Sequence, residues 1–316
     1  MIYLNLAVSA IMQGLIYAPL ALGIFIVFTI LDTADLTVDG SLVFGMTVCA
    51  VVTISGHPVL ALFAGMAAGA LAGLVTGLLQ TKMHINPILS GILTMTALYT
   101  VNYMVLGGQS NRYLQYEALN DAGATVYNTS PTIFSALTKK LGNPELSVSI
   151  ITVFIIILLC AVLAIFFKTR PGIAIRATGD NEMMVRSSSI NADATRIAGI
   201  VMANALVGLS GALLCQQQKF ADLNSGTGML VMGLAAVIIG QVIFGKRGVT
   251  VGLISAAVGS IIYRIIIQLA YKINMPSYTV KLLSALIVVL ALSIPVAKAK
   301  LAEAKNRRIR KGGAVK

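Results

Sequence analysis

An all-α, polytopic membrane protein with about nine spans is the fold class that this sequence predicts, on three observations. Hydrophobic residues fill 57% of the 316 positions and charged residues only 11%. Mean hydropathy is +0.89. Apolar windows of about 20 residues, the length a helix needs to cross a hydrocarbon core, recur from end to end. These runs are too long for barrel strands and do not alternate, which sets aside both a barrel and a soluble core. One membrane domain is expected over residues 1–296, followed by a basic tail at 297–316.

The spans fall at about 5–30, 38–55, 58–80, 86–107, 148–167, 194–215, 228–244, 249–270 and 279–296. No Lys or Arg precedes the first run, which is longer than a signal-peptide core and reads as a retained helix. The third span carries Gly65, Gly69, Gly73 and Gly77, a stripe that lets another backbone approach closely; a helix of the same chain and a second subunit are both open as its partner. Cys49, Cys160 and Cys215 are far apart in apolar runs and read as packed hydrophobes. Residues 108–147 form the one long outer loop, with Tyr113, Tyr116 and Tyr127, and serve either as a connector or as a contact for an external partner.

Orientation follows from Lys and Arg. With the N-terminus outside, sixteen cations collect on the inner face, eight of them from Lys298 to Lys316, and seven on the outer face, as the positive-inside rule requires. The net charge of +12 is thus accounted for by topology and anionic lipid headgroups. The tail lacks interleaved aromatics, and no nucleic-acid partner is expected.

Two segments echo each other: ADLTVDGSLVFG at 34–45 and ADLNSGTGMLVMG at 221–233. The topology puts the first at the inner face and the second at the outer face, as inverted repeats would be, and transporter sites form where such repeats meet through broken helices. Breaks are expected near Gly40 and Gly226. The pathway candidates are Asp39, Gly40, Ser41, Thr94, Thr96, Asn102, Asn204, Gly226 and Gln241. The polar, uncharged ones suit a small polar or zwitterionic solute, and each also reads as an ordinary hydrogen bond between helices.

Energy coupling is read from what is missing. All eleven carboxylates fall outside the middle of the spans, whereas a proton-driven carrier needs an intramembrane acid. Asp39 is the one plausible exception, and a helix N-terminal charge is the commoner reading of it. The run GQVIFGKR at 240–247 nearly spells a phosphate-binding loop, but Arg247 stands where Ser or Thr is needed and the run ends an apolar helix. Any ATP is therefore hydrolysed by another subunit, and neither a catalytic residue nor a metal site is expected here.

The polar interruption RATGDNEMMVRSSSIN at 176–191 reads as a stub of about two turns, near 180–190. Pro171 and Gly172 end the fifth span, Gly179 and Asp180 start the stub, Glu182 suits its first turn, and Ser187 to Asn191 stop it. Met183, Met184 and Val185 are exposed in this reading, resting on the membrane or filling a groove on another protein.

The stretch GIAIRATGDNEMMVRSSSIN resembles the cytoplasmic loop of permease subunits of ATP-binding-cassette importers of the branched-chain amino-acid and ribose type, through Gly172, Arg176, Ala177, Gly179, Asn181 and Ile190. ADLTVDGSLVFG similarly resembles that family's early D-L-S-V-G-S element. Within the family the chain looks most similar to permeases linked to lipoprotein binding proteins for aromatic amino acids. Met183 to Val185 depart from the family's common alanines and Ser189 from its common glycine. The resemblance implies that Arg176, Gly179, Asp180, Asn181, Glu182, Met183, Met184, Val185 and Arg186 form a coupling helix docked on an ATPase dimer, which would hold the ATP and Mg. It further implies a second permease subunit making a homodimer, an extracellular or periplasmic solute-binding protein, a bacterial inner membrane, and import of an amino acid or similar solute. The alternative is a secondary carrier driven by an ion gradient.

Overall fold

The computed structural model describes residues 2–119, 125–142, 144–245 and 248–272, with isolated positions from 279 to 293. Helix α1 (Ile2–Ile24) runs on through a π-helical turn (Phe25–Ile30) and is followed by α2 (Val38–Ile54), α3 (Pro58–Thr81) and α4 (Pro87–Val105). Next come β1 (Asn111–Tyr113), β2 (Gln115–Leu119), β3 (Thr125–Thr129) and α5 (Ser135–Leu141). The chain continues through α6 (Pro144–Phe166), α7 (Arg170–Asp180), α8 (Glu182–Ser187) and α9 (Ala192–Gln218). It finishes with β4 (Phe220–Asp222), a 3-10 turn (Leu223–Gly226), α10 (Met229–Phe244) and α11 (Val249–Lys272).

Among the described residues, seven segments are long and apolar enough to cross a membrane: Ala7–Ile30, Pro58–Thr81, Pro87–Val105, Leu146–Phe166, Ala192–Gln218, Leu223–Phe244 and Val249–Lys272. Each matches an expected span. The expected span at 38–55 is present as α2 but has only 17 residues. The expected ninth span at 279–296 and the tail at 297–316 lie outside the continuously described residues.

Local chemistry sets the helix boundaries. Pro58 and Pro87 begin α3 and α4, where a missing N–H costs nothing. Asn86 caps α4 by accepting from the Ile88 amide at 2.9 Å, and Asn191 caps α9 by accepting from Ala194 at 3.1 Å. Lys219, left-handed at φ 63°, ends α9. The loop at 108–147 is more than a connector: β1 pairs antiparallel with β4 in the register Arg112↔Ala221, and β2 pairs with β3. Among the described residues, these short strands are the one departure from the all-α expectation.

The first span, Ala7–Ile30, and α9 form the centre of the molecule, 83% and 72% buried against 22% for α6, whose Phe154, Ile157 and Ile165 face outward. The glycine stripe packs on α9 of the same chain. Gly69 abuts Gly208 and the Asn204 carbonyl, Gly65 abuts Ala212, Gly73 abuts Ile200 and Asn204, and Gly77 abuts Ile197. With no hydrophobic drive between helices in lipid, this close approach and the dispersion contacts it brings hold the pair together.

The expected helix breaks move. Gly40 lies inside the first turn of α2, and the chain breaks ahead of it, at 31–37. Gly226 closes the 3-10 turn, and the second break falls at Thr227, which is extended, and Gly228, at φ 83°. The echo segments also do not sit on opposite faces. Gly40 packs against Met95 and Leu98 in the middle of α4, and Ser41 bonds Asn204 in the middle of α9. Gly226 in turn lies against the Asp39 carbonyl, so both breaks meet at one depth, near half the height of the spans. The first segment reaches that depth from the end carrying α7 and α8, and the second from the strand end. Helices α2 and α10 then run away from each other, an inverted arrangement meeting N-terminus to N-terminus.

Candidate functional site

At that junction Asp39, in the first turn of α2, serves a neighbouring helix. Its Oδ2 accepts from the Gly228 amide at 3.0 Å and its Oδ1 from the Leu230 amide at 2.8 Å. The first amides of a helix have no partner within it, and within a spanning segment the protein itself or a cavity must serve them, since lipid cannot. Asp39 fills that role for α10, where the helix dipole also favours a negative charge.

Beside it a cavity of about 310 Å³ is lined by Asp39, Gly40, Thr96, Tyr99, Asn102 and Gly226 with Val43, Met95, Leu223 and Thr227. Five of the nine pathway candidates from the sequence therefore share one space. Ser41 and Asn204 stand in the wall behind it: Ser41 donates to Asn204 Oδ1 at 2.7 Å, and Asn204 Nδ2 donates to Asp35 Oδ2 at 2.7 Å and to the Ile200 carbonyl at 3.0 Å. Thr94 is buried and its hydroxyl returns to the Ser90 carbonyl of its own helix. Gln241 lies elsewhere, bonded to Thr29 in a separate cavity with Arg176, Asp180 and Phe25 at the α7/α8 end.

The sequence reading passed over Asp35. It is fully buried, takes the Thr37 amide on Oδ1 at 2.8 Å, and together with the Thr37–Thr76 hydroxyl contact at 2.7 Å ties the unwound segment to α3 and α9. The signal was the Ala-Asp-Leu shared by both echoes. Tyr99, on the same face of α4 as Thr96 and Asn102, was missed because an aromatic in a spanning helix carries no sequence mark of a cavity. Among the described residues, no group of three or more His, Cys, Asp or Glu is placed to hold a metal ion.

Replacing Asp39 by alanine should leave two amides unpaired, at about 1–3 kcal/mol each. Its thermal unfolding midpoint in detergent should fall below that of Asp39→Asn, which keeps one acceptor, and both should fall below wild type. Equal midpoints for all three would show that Asp39 does not cap α10.

The polar stub is two helices. Pro171 starts α7 instead of ending a span, and Arg176, Gly179 and Asp180 belong to α7. Gly179 closes the last turn of α7 and lies against the Ile30 carbonyl, where a Cβ would overlap it; it is a packing glycine and does not start the stub. Asn181 separates the helices and caps α8 by accepting from the Met184 amide at 3.0 Å. Met183 and Met184 are exposed, as expected, but Val185 is buried and anchors α8 inward. Glu182 accepts from Arg186 at 2.8 Å and pairs with Arg196 of α9 at 3.1 Å, and Arg186 also reaches Asp193. Glu182 and then Asp193 hold the Arg186 guanidinium above its ordinary pKa. Ser189 is left-handed at φ 60°, a conformation glycine adopts freely.

Comparison with known proteins places these features in context. The chain matches the family model described as the permease component of branched-chain amino acid transport systems over residues 6–292. It is 34% identical over 283 residues, covering 89% of this chain and 88% of the relative, to a tyrosine transport system permease protein of Clostridioides difficile. An uncharacterized protein of Rickettsia prowazekii is 30% identical over 294 residues, 92% of this chain and 98% of the relative. The ribose import permease protein RbsC of Escherichia coli K12 is 24% identical over 296 residues, 92% of this chain and 85% of the relative. No solved structure matches.

Proposed function

The chain belongs to the branched-chain amino acid permease family, the membrane subunits of ATP-binding-cassette importers, and from that premise we propose that it carries an amino acid or similar small polar solute inward past the α2–α10 junction. Subunits of this family are not themselves enzymes; they work in the inner membrane with an ATPase and a solute-binding protein. The observation that carries the reading is the meeting of two broken-helix N-termini beside a half-height cavity, the arrangement in which transporter sites are built. The solute class is supported by the tyrosine transport permease among the relatives and by a lining that is mostly uncharged.

In this reading the N-terminus is outside and the α7/α8 end is cytoplasmic, where the cations concentrate. There α8 presents Met183 and Met184 to an ATPase dimer that holds ATP and Mg, while Val185 and the Glu182–Arg196 pair keep the helix seated on the body. A second copy of the permease closes the open α4 side of the cavity, and the external binding protein delivers solute over the strand end. Isolation of the intact complex from the membrane, with identification of what comes with it, tests these partners: recovery of an ATP-binding-cassette ATPase is expected, and its absence from a functional complex counts against the proposal.

Lys246 provides a sharper check on where nucleotide binds. Lys246 and Arg247 lie outside the described residues, but Gly240 to Phe244 of the same run are the helical end of α10, where a phosphate-binding loop would need an irregular turn after a buried strand. Lys246→Ala should leave ATP hydrolysis by the assembled complex unchanged. Nucleotide binding by the isolated permease, lost in this variant, would contradict the assignment.

A further inference from the structure

We infer that Asp39 selects the solute by its ammonium group, which makes the cavity beside it a site for amine-bearing molecules with an apolar body; this rests on the importer reading above. Of the ten lining residues, Asp39 alone has an ionisable acid, and no Lys, Arg or His lines the space. The Gly228 and Leu230 amides take one position on each carboxylate oxygen. The Met229 amide also interacts with this carboxylate, so of the about four acceptor sites that a carboxylate offers one remains for a further donor. In surroundings of low dielectric, a carboxylate with no cation nearby attracts an ammonium group strongly and repels a second anion.

The rest of the cavity fits the body of such a solute. Asn102 accepts from the Thr47 hydroxyl on Oδ1 at 3.4 Å, which leaves its Nδ2 as a donor. Thr47 stands eight residues beyond Asp39 on α2, about 12 Å along the helix axis at 1.5 Å per residue. The space is therefore elongated, with a carboxylate at one end, an amide at the other, and Val43, Met95 and Tyr99 along the waist. An ammonium group at Asp39, an apolar or aromatic body along the waist and a polar tip at Asn102 match that order. A sugar, polar on all sides, would leave hydroxyls against the apolar waist.

The test uses the permease–ATPase complex without binding protein. Thr96, exposed on the lining, is replaced by cysteine in a Cys160→Ser background, since Cys49 and Cys215 are buried, and its maleimide labelling is followed with three probes. L-Tyrosine and tyramine, which carry the ammonium group, should protect at concentrations at least tenfold lower than 3-(4-hydroxyphenyl)propionate, which lacks it. Asp39→Asn should erase that difference. Equal protection by the propionate with Asp39 intact overturns the inference, without relying on any change at Asp39, and so does an absence of protection by all three. ATP-driven uptake by the complete importer judges the importer reading separately: if uptake is ATP-driven while protection ignores the ammonium group, only the role of Asp39 falls.

Discussion

Replacing both Met183 and Met184 by aspartate should leave the permease folded and cut it off from its ATPase. The two side chains are 82% and 67% exposed, so in the isolated chain they contribute little to stability and their replacement costs little. Their neighbours fix α8 independently, through the buried Val185, the Asn181 cap and the ion pairs of Glu182. In the proposed complex the same two side chains would enter an apolar groove of the ATPase, where one unpaired buried charge costs about 3–5 kcal/mol, a loss in affinity of at least about a hundredfold. Copurification of the ATPase should be lost, and ATP-driven uptake with it, while the elution profile of the permease alone is unchanged. Normal copurification and normal uptake would show that α8 docks on nothing.

How much of this was legible in the sequence depended on which physical constraint acted. Spanning helices were readable because lipid demands apolar length, and eight of the expected segments appear close to their expected bounds. The break before α2 was misplaced onto Gly40 because glycine is the usual mark of an irregular backbone. In the structure Asp35 and Asn204 hold the unwound segment instead, and a buried carboxylate served by neutral donors from other helices leaves no trace in a hydropathy window. Pro171 misled for a related reason: the residue that interrupts a helix is equally suited to start one, and only the packing of Gly172 against Phe166 and Phe167 shows which applies. The partner of the glycine stripe was left open because small residues specify close approach without naming the helix that approaches. Strands β1 and β4, three residues each, are too short to carry a pattern.

That close approach carries the other large expected effect. Gly69→Val should abolish recovery of folded, monodisperse protein. A Cβ at Gly69 overlaps the Asn204 carbonyl oxygen and comes within 2.9 Å of the Gly208 Cα. Both are backbone, so neither can swing aside, and the α3–α9 seam must open along its length. Opening it loses the packing that substitutes for hydrophobic drive in lipid and disturbs Asn204, which holds both Ser41 and Asp35. The cost should exceed the about 1–3 kcal/mol usual for an overpacked core. Gly77→Ala makes the contrast, since its nearest atom, the Ile197 Cα, is 3.2 Å away near the end of the seam, and it should yield folded protein. Both variants are compared by size-exclusion profile and thermal unfolding in detergent; equal recovery would mean that the seam is not tightly determined.

ATP-driven import through this chain is tested most directly by reconstitution with its ATPase and binding protein in sealed proteoliposomes, followed by uptake of labelled amino acids with all ion gradients collapsed by ionophores. Uptake that requires ATP on the α7/α8 side and survives the ionophores is the expected result. Uptake that proceeds without ATP and disappears with the gradient would contradict it and make the buried Asp35 and the cavity-lining Asp39 the carboxylates of an ion-coupled carrier.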